Sequence, residues 1–258
     1  MKAIWTGTIG FGLVNIALKI FSAIEESSLD LDTLDKKDHA RIRFKRVNKN
    51  TGKEVAWPNI IKGYDYDGKY VALNDEDFEK ASPEKTKIIE IKEFVNENEI
   101  ESIFFETPYF FETQKSGEKA YVLLREALKK TGKPGLGSFV MRNKESLCIL
   151  KPLDTAIVLN KIRFAQEIRN VNDLNIPQKA TIKPAELKMA IALINQLSSN
   201  FNIAKYKDSY TNELMKLIKA KARGKKLNVP ALRVVHNKTK DLMPQLKAGL
   251  DVKKKRAS

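Results

Sequence analysis

Val14-Asn15-Ile16-Ala17-Leu18-Lys19-Ile20 alternates bulky apolar side chains with small or polar ones. Successive side chains of a strand point to opposite faces, so Val14, Ile16, Leu18 and Ile20 share one face that a core can bury. The pattern repeats outward. Ala40, Ile42 and Phe44 alternate with Arg41, Arg43 and Lys45, and Ile88 to Val95 and Ile103 to Phe111 read as further strands. Pro108 lacks the ladder donor and demotes the last of these to an edge or a bulge. Residues 135–142 and 146–160 supply two or three more. Asn48-Lys49-Asn50-Thr51-Gly52 and, more strongly, Asp67-Gly68 are hairpin-turn signals. Many strands joined by short turns predict an antiparallel barrel or sandwich.

Helices interrupt the strands. Asn74 is placed to cap a short helix through residue 82, with Asp75, Glu76 and Asp77 at its positive end. Residues 118–131 form an amphipathic helix with Ala120, Leu123, Leu124, Ala127 and Leu128 as its buried stripe and Gly132 as its stop. Past residue 170 the chain turns helical. Pro184 opens a helix to about Asn200, with Leu187, Ala190, Ile191 and Ile194 as its apolar face. Asp208 caps another ending at Gly224, and Asp241 a last short one with Leu242, Leu246 and Leu250 on one side. Lys253-Lys254-Lys255-Arg256 reads as a disordered tail.

Charge is the next constraint. Forty-seven Lys and Arg against 32 Asp and Glu leave +15 over 258 residues, a balance that favours polyanions, nucleic acid first. The charge is segregated: 10 basic and 4 acidic residues in 36–69, 5 and 13 in 70–118, 16 and 4 in 205–258. The single cysteine, Cys148, excludes an internal disulfide framework. No apolar run approaches the ~18 residues of a membrane span, and the start lacks the features of a signal peptide. The expectation is a cytoplasmic protein associated with the nucleoid, without a membrane partner.

Motifs for chemistry are missing. There is no phosphate-binding loop, and Gly7, Gly10 and Gly12 have the wrong order for a dinucleotide fingerprint; strand ends and turns explain them. One Cys and two His in separate regions do not make a zinc site, and no Ser/His/Asp pattern is present. Acidic pairs such as Glu25-Glu26 suit helix caps and solvated loops better than a nuclease metal site. No cofactor, metal or catalytic residue is expected.

The basic stretch is the candidate site. In a strand Arg41, Arg43 and Lys45 form one row, with Ile42 and Phe44 packed behind; Arg46 and Lys49 continue toward the turn, and Lys53 and Lys62 lie on the return. Cations with few Asn or Gln neighbours favour phosphate contact over base reading. Aromatic residues do not interleave with these cations, which disfavours a single-strand stacking platform. Lys129, Lys130 and Lys133 at the end of the 118–131 helix add a second basic cluster, though they also complement the helix dipole.

Four segments, in order along the chain, resemble the bacterial Ku proteins, the end-binding factors of non-homologous end joining. They are Trp5-Thr6-Gly7-Thr8-Ile9-Gly10-Phe11-Gly12-Leu13-Val14-Asn15-Ile16, then Ile61-Lys62-Gly63-Tyr64-Asp65-Tyr66 with Lys69-Tyr70-Val71-Ala72-Leu73, then Lys119 to Leu128, then Asp208-Ser209-Tyr210 with Leu214, Leu217-Ile218 and Lys221. Two positions depart from the family pattern: Ala17 where proline is usual, and Pro108 inside an aromatic stretch.

The resemblance implies an α+β fold: an antiparallel β-barrel core with an inserted bridge hairpin and a helical C-terminal arm. Residues 1–170 would be the core, with the bridge at about 36–69; residues 171–224 the arm; residues 225–258 a short helix and basic tail. Two such chains would close a homodimeric ring that threads onto double-stranded DNA ends and recruits an ATP-dependent DNA ligase. Asp208, Tyr210, Leu214, Leu217 and Ile218 of the arm, with Leu242 and Leu246 beyond it, are the implied partner-binding residues. The rival readings are a chromatin-like architectural protein, a sequence-specific regulator lacking an evident recognition helix, and a lyase or nuclease.

Overall fold

The computed structural model describes residues 1–81, 87–141 and 144–224, with Pro244 and Leu246 alone beyond them. Among these residues seven strands close a barrel: β1 (Trp5–Phe11), β2 (Val14–Ser22), β5 (Ile88–Phe94), β6 (Phe105–Thr113), β7 (Gly135–Met141), β8 (Lys144–Leu153) and β9 (Ala156–Ile162), in the spatial order β1-β2-β6-β9-β8-β7-β5. Strands β3 (Lys62–Tyr66) and β4 (Lys69–Leu73) form a separate two-stranded ribbon. The helices are α1 (Asp75–Ala81), α2 (Glu118–Thr131), α3 (Pro184–Leu197) and α4 (Ser209–Ala222). Among the described residues no helix is long and apolar enough to cross a membrane.

The period-two alternation of residues 14–20 holds from its second member onward. Ile16, Leu18 and Ile20 are fully buried, while Val14, beside the β1–β2 turn, is exposed. Ile9, Ile89, Phe139, Cys148, Leu150, Ile157 and Leu159 complete the barrel's share of the core. Helix α2 adds Tyr121, Leu124 and Leu128 to the same cluster. The expected stripe is therefore rotated: Leu123 is 64% exposed, and Tyr121 takes the inward position. Its ring fills the core while its hydroxyl accepts the N–H of Ile157 at 2.7 Å, so the aromatic satisfies a buried backbone donor. Gly132 ends α2 in the left-handed conformation, its N–H bonded to the Leu128 carbonyl. Cys148 lies in this core, and burial pushes its thiol far up from the ordinary range, so it stays a neutral packing group.

Two features of the barrel depart from expectation. Pro108 is not on an edge, because β6 is paired on both sides. The ladder tolerates it because β2 ends at Ser22, opposite Tyr109, and the proline only accepts a bond there, from Ala23 N–H at 3.3 Å. The other setting expected for it, a bulge, is what the strand shows: the register toward β9 shifts beside it, between Phe105 and Thr107. The barrel is also not wholly antiparallel. Its closing pair, β1 with β5, is parallel and short: Thr8 opposite Ile88, Ile9 opposite Ile89, Gly10 opposite Glu90.

That seam explains Gly7, which lies within a strand and not at its end. A Cβ there would stand 2.2 Å from the Lys87 carbonyl oxygen and 2.2 Å from the Trp5 ring. The bare glycine lets the indole lie across β1, where it donates to the Val140 carbonyl at 3.1 Å and packs edge-on against Phe139. Trp5 thus bridges β1 to β7 at the corner that β5 does not reach.

The chain divides into two compact units, residues 1–26 with 30–170, and residues 27–29 with 171–258. In the second, Pro184 opens α3, which ends at Leu197, and Asp208 caps α4 by accepting the Thr211 N–H at 3.1 Å. Bonds from the Thr211 hydroxyl and backbone hold the Asp208 carboxyl below its ordinary range. No residue of α3 or α4 is buried; Leu187, Ile191 and Ile194 stand exposed at helical spacing on α3.

Candidate nucleic-acid interface

Between β2 and β5 the chain leaves the barrel. From Asp30 to Ala72 every residue is exposed except Val55, which is only half-buried. Order in this excursion is local. Asp35 accepts the Lys37 N–H on its carboxylate and bonds through its own N–H to the Ala40 carbonyl, which makes one tight turn. Asn48 makes the second, accepting from Asn50 and Thr51, with Gly52 in the left-handed region at φ +67. Asp67 and Gly68, both at positive φ, close the β3–β4 hairpin.

The basic strand expected at 40–46 is not a strand. Only isolated bridges, Leu34 with Arg41 and Val47 with Glu54, flank it. Period-two spacing reports an extended backbone, but a ladder needs a continuous neighbour, and here pairing reaches only the two ends: Ile42 N–H bonds to the Thr33 carbonyl and Val55 N–H to the Arg46 carbonyl. Ile42 and Phe44 consequently do not pack behind the cations; Phe44 is 85% exposed. The cations are displayed without a core beneath them.

Each is held differently. Arg41 pairs with Asp32, and Lys45 with Glu54 at 2.7 Å, both pairs well exposed. The Arg46 guanidinium sits 4.3 Å over the Trp57 ring, and the Lys62 ammonium 4.8 Å over Phe78. Arg43, Lys49 and Lys53 are exposed, with no ion pair among the described residues. Solvent-exposed ion pairs are worth about 0–1 kcal/mol, so neither carboxylate holds its cation against a competing anion by more than that.

Lys129, Lys130 and Lys133 do not join this group. Lys129 and Lys130 lie in the last turn of α2 and Lys133 just beyond it, at the barrel end marked by Phe11 and Phe94, where a cleft of about 240 Å³ is lined by Phe11, Phe94, Leu124, Ala127, Leu128, Thr131 and Lys133. The excursion leaves from Ser22 and returns at Ile88, the opposite end of the same strands. On α4, Tyr210 is exposed and Leu214 and Leu217 are partly so, with Ile218 near the same state. Leu242 lies outside the described residues, and Leu246 is helical and partly exposed.

The aromatic residues are what the sequence reading missed. Trp57, Tyr64, Tyr66 and Tyr70 all stand exposed among the excursion's cations. The signal was present in Lys62-Gly63-Tyr64-Asp65-Tyr66, whose period of two alternates cation and aromatic rings with Gly and Asp. Among the described residues no group of three His, Cys, Asp or Glu gathers as a metal ion would require.

Residues 10–189 match the family model described as the Ku70/Ku80 beta-barrel domain. A protein of Coxiella burnetii named Non-homologous end joining protein Ku is 37% identical over 98% of this chain and 96% of its own length. Relatives of the same name are 39% identical in Pseudomonas aeruginosa, over 86% of this chain and 77% of that one, and 37% identical in Archaeoglobus fulgidus, over 98% and 100%.

Proposed function

From its membership of the Ku family, to which the chain belongs, we propose that it binds double-stranded DNA ends in non-homologous end joining, as a ring of two copies threaded onto the duplex. The observation that carries this is the excursion. A segment of over forty residues that is ordered, exposed and rich in cations has no interior of its own, so its partner is a surface outside the chain. Net charge of +6 over residues 36–69 names that surface as a polyanion. The excursion serves as the bridge over DNA, residues 1–170 as the core around it, and residues 171–224 as an arm on the second subunit. The uncovered Leu187, Ile191 and Ile194 of α3 supply an apolar face for that arm. The chain grips and recruits, and carries out no bond-making step itself.

A closed ring loads only at a free end. Linear duplex should therefore bind tightly, and the same duplex ligated into a circle should bind weakly, in a gel-shift assay at one salt concentration. Equal binding of both forms would favour the architectural reading and end the ring model. The segment 205–258 carries 16 basic and 4 acidic residues and is proposed to engage an ATP-dependent DNA ligase. Deleting it should abolish stimulation of end joining by that ligase. Stimulation that survives the deletion places the recruiting surface in residues 1–204.

A further inference from the structure

We propose that the β3–β4 ribbon is a stacking platform for unpaired bases, so that the chain grips the single-stranded overhang of a tailed end as well as its duplex. This rests on the DNA-end reading above and adds a second site to it.

The register of the ribbon sorts its side chains. Lys62 opposite Leu73, Tyr64 opposite Val71 and Tyr66 opposite Lys69 share one face; Asp65 opposite Tyr70 and Gly63 opposite Ala72 share the other. The first face thus presents two tyrosines between two lysines and no strand carboxylate. Tyr64 and Tyr66 are each 66% exposed, which leaves their rings open to a ligand. Residues two apart on a strand stand about 6.7 Å from each other. That is about twice the ~3.4 Å rise between neighbouring nucleotides of a strand, room for one base between the two rings. Lys69, directly across from Tyr66, and Lys62, held by the Phe78 ring, are placed for the phosphates on either side. Aromatic rings flanked by cations are the pattern that binds single strands without regard to sequence. Trp57 beneath the Arg46 guanidinium repeats the pairing elsewhere in the excursion.

An apolar protein surface would suit the tyrosines but not the paired ammonium groups. The remaining occupant is a second copy of the chain, and the experiment separates the two. Affinity is measured by fluorescence anisotropy for a blunt duplex, the same duplex with a ten-thymidine 3′ tail, and the same duplex with an abasic tail of equal charge. The full chain should bind the thymidine tail on the order of tenfold to a hundredfold more tightly than the abasic tail. Tyr64→Ala with Tyr66→Ala should remove that difference and leave the mass by light scattering unchanged. Tyr64→Phe with Tyr66→Phe should keep it, and Tyr64→Trp should be quenched by the thymidine tail alone. Equal affinity for thymidine and abasic tails overturns the platform while leaving end binding intact. A double alanine variant that loses blunt-end binding and falls to half the mass assigns the face to the subunit contact and also overturns it. Failure of the unaltered chain to bind blunt duplex strikes the DNA-end reading itself.

Discussion

Replacing Arg41, Arg43 and Lys45 together by alanine should flatten the salt dependence of duplex-end binding by roughly 2 units in the slope of log affinity against log salt for each chain. Each phosphate neutralised contributes about 0.9, so three cations set a ceiling near 2.7 per chain, or about 5.4 for a ring of two. Arg43 should account for the largest single share. Arg41 and Lys45 already have Asp32 and Glu54 as counterions, and trading a carboxylate for a phosphate releases less from the DNA atmosphere. Anisotropy titrations at salt concentrations between about 50 and 200 mM measure the slope. A triple variant with the original slope would move the DNA interface off residues 41–45. Substituting Lys129, Lys130 and Lys133 is the matched control, because those cations stand at the other barrel end.

The second large effect is on stability. Gly7→Ala should destabilise the fold by on the order of 3 kcal/mol, read from the midpoint of urea unfolding. Its Cβ would meet a backbone carbonyl, that of Lys87, at 2.2 Å, and a Trp5 ring pinned by Val140 and Phe139. Neither yields without opening the parallel seam. Gly10→Ala, three residues on, should cost about 1 kcal/mol or less, because its Cβ first meets the Ile88 side chain at 3.2 Å, which gives way by a rotamer shift. Equal midpoints for both variants would mean that β1 and β5 do not approach as described.

The barrel was legible in the sequence because each strand buries one face, and Ile16, Leu18 and Ile20 declare it by spacing alone. The caps at Gly132 and Asp208 and the turn at Asp67-Gly68 were equally local signals. Pairing is not local, and there the reading stopped. Nothing in Thr8-Ile9-Gly10 announces a parallel partner some eighty residues away. Arg41 to Arg46 carries the alternation of a strand, yet it is paired only at its two ends and lacks the continuous ladder that would make it one. Leu123 and Tyr121 both fit an amphipathic helix; only the N–H of Ile157, which needs an acceptor, decides in favour of the tyrosine. At the candidate interface the cations were legible, but their company was not: Trp57 reaches Arg46, and Phe78 reaches Lys62, across turns whose closure spacing cannot foretell.

The two feet of the excursion stand on either side of β1, at Ser22 of β2 and at Ile88 of β5. Everything between them is an insertion into one corner of a finished barrel. Doubling the length of such a closed loop costs only about 0.6 kcal/mol, and no barrel residue has to change to accommodate it. The bore of the proposed ring would therefore be an independent variable. It can be widened for a bulkier duplex or narrowed to a tighter sleeve by trimming residues 23–87, while the barrel that anchors it keeps the same sequence and the same fold.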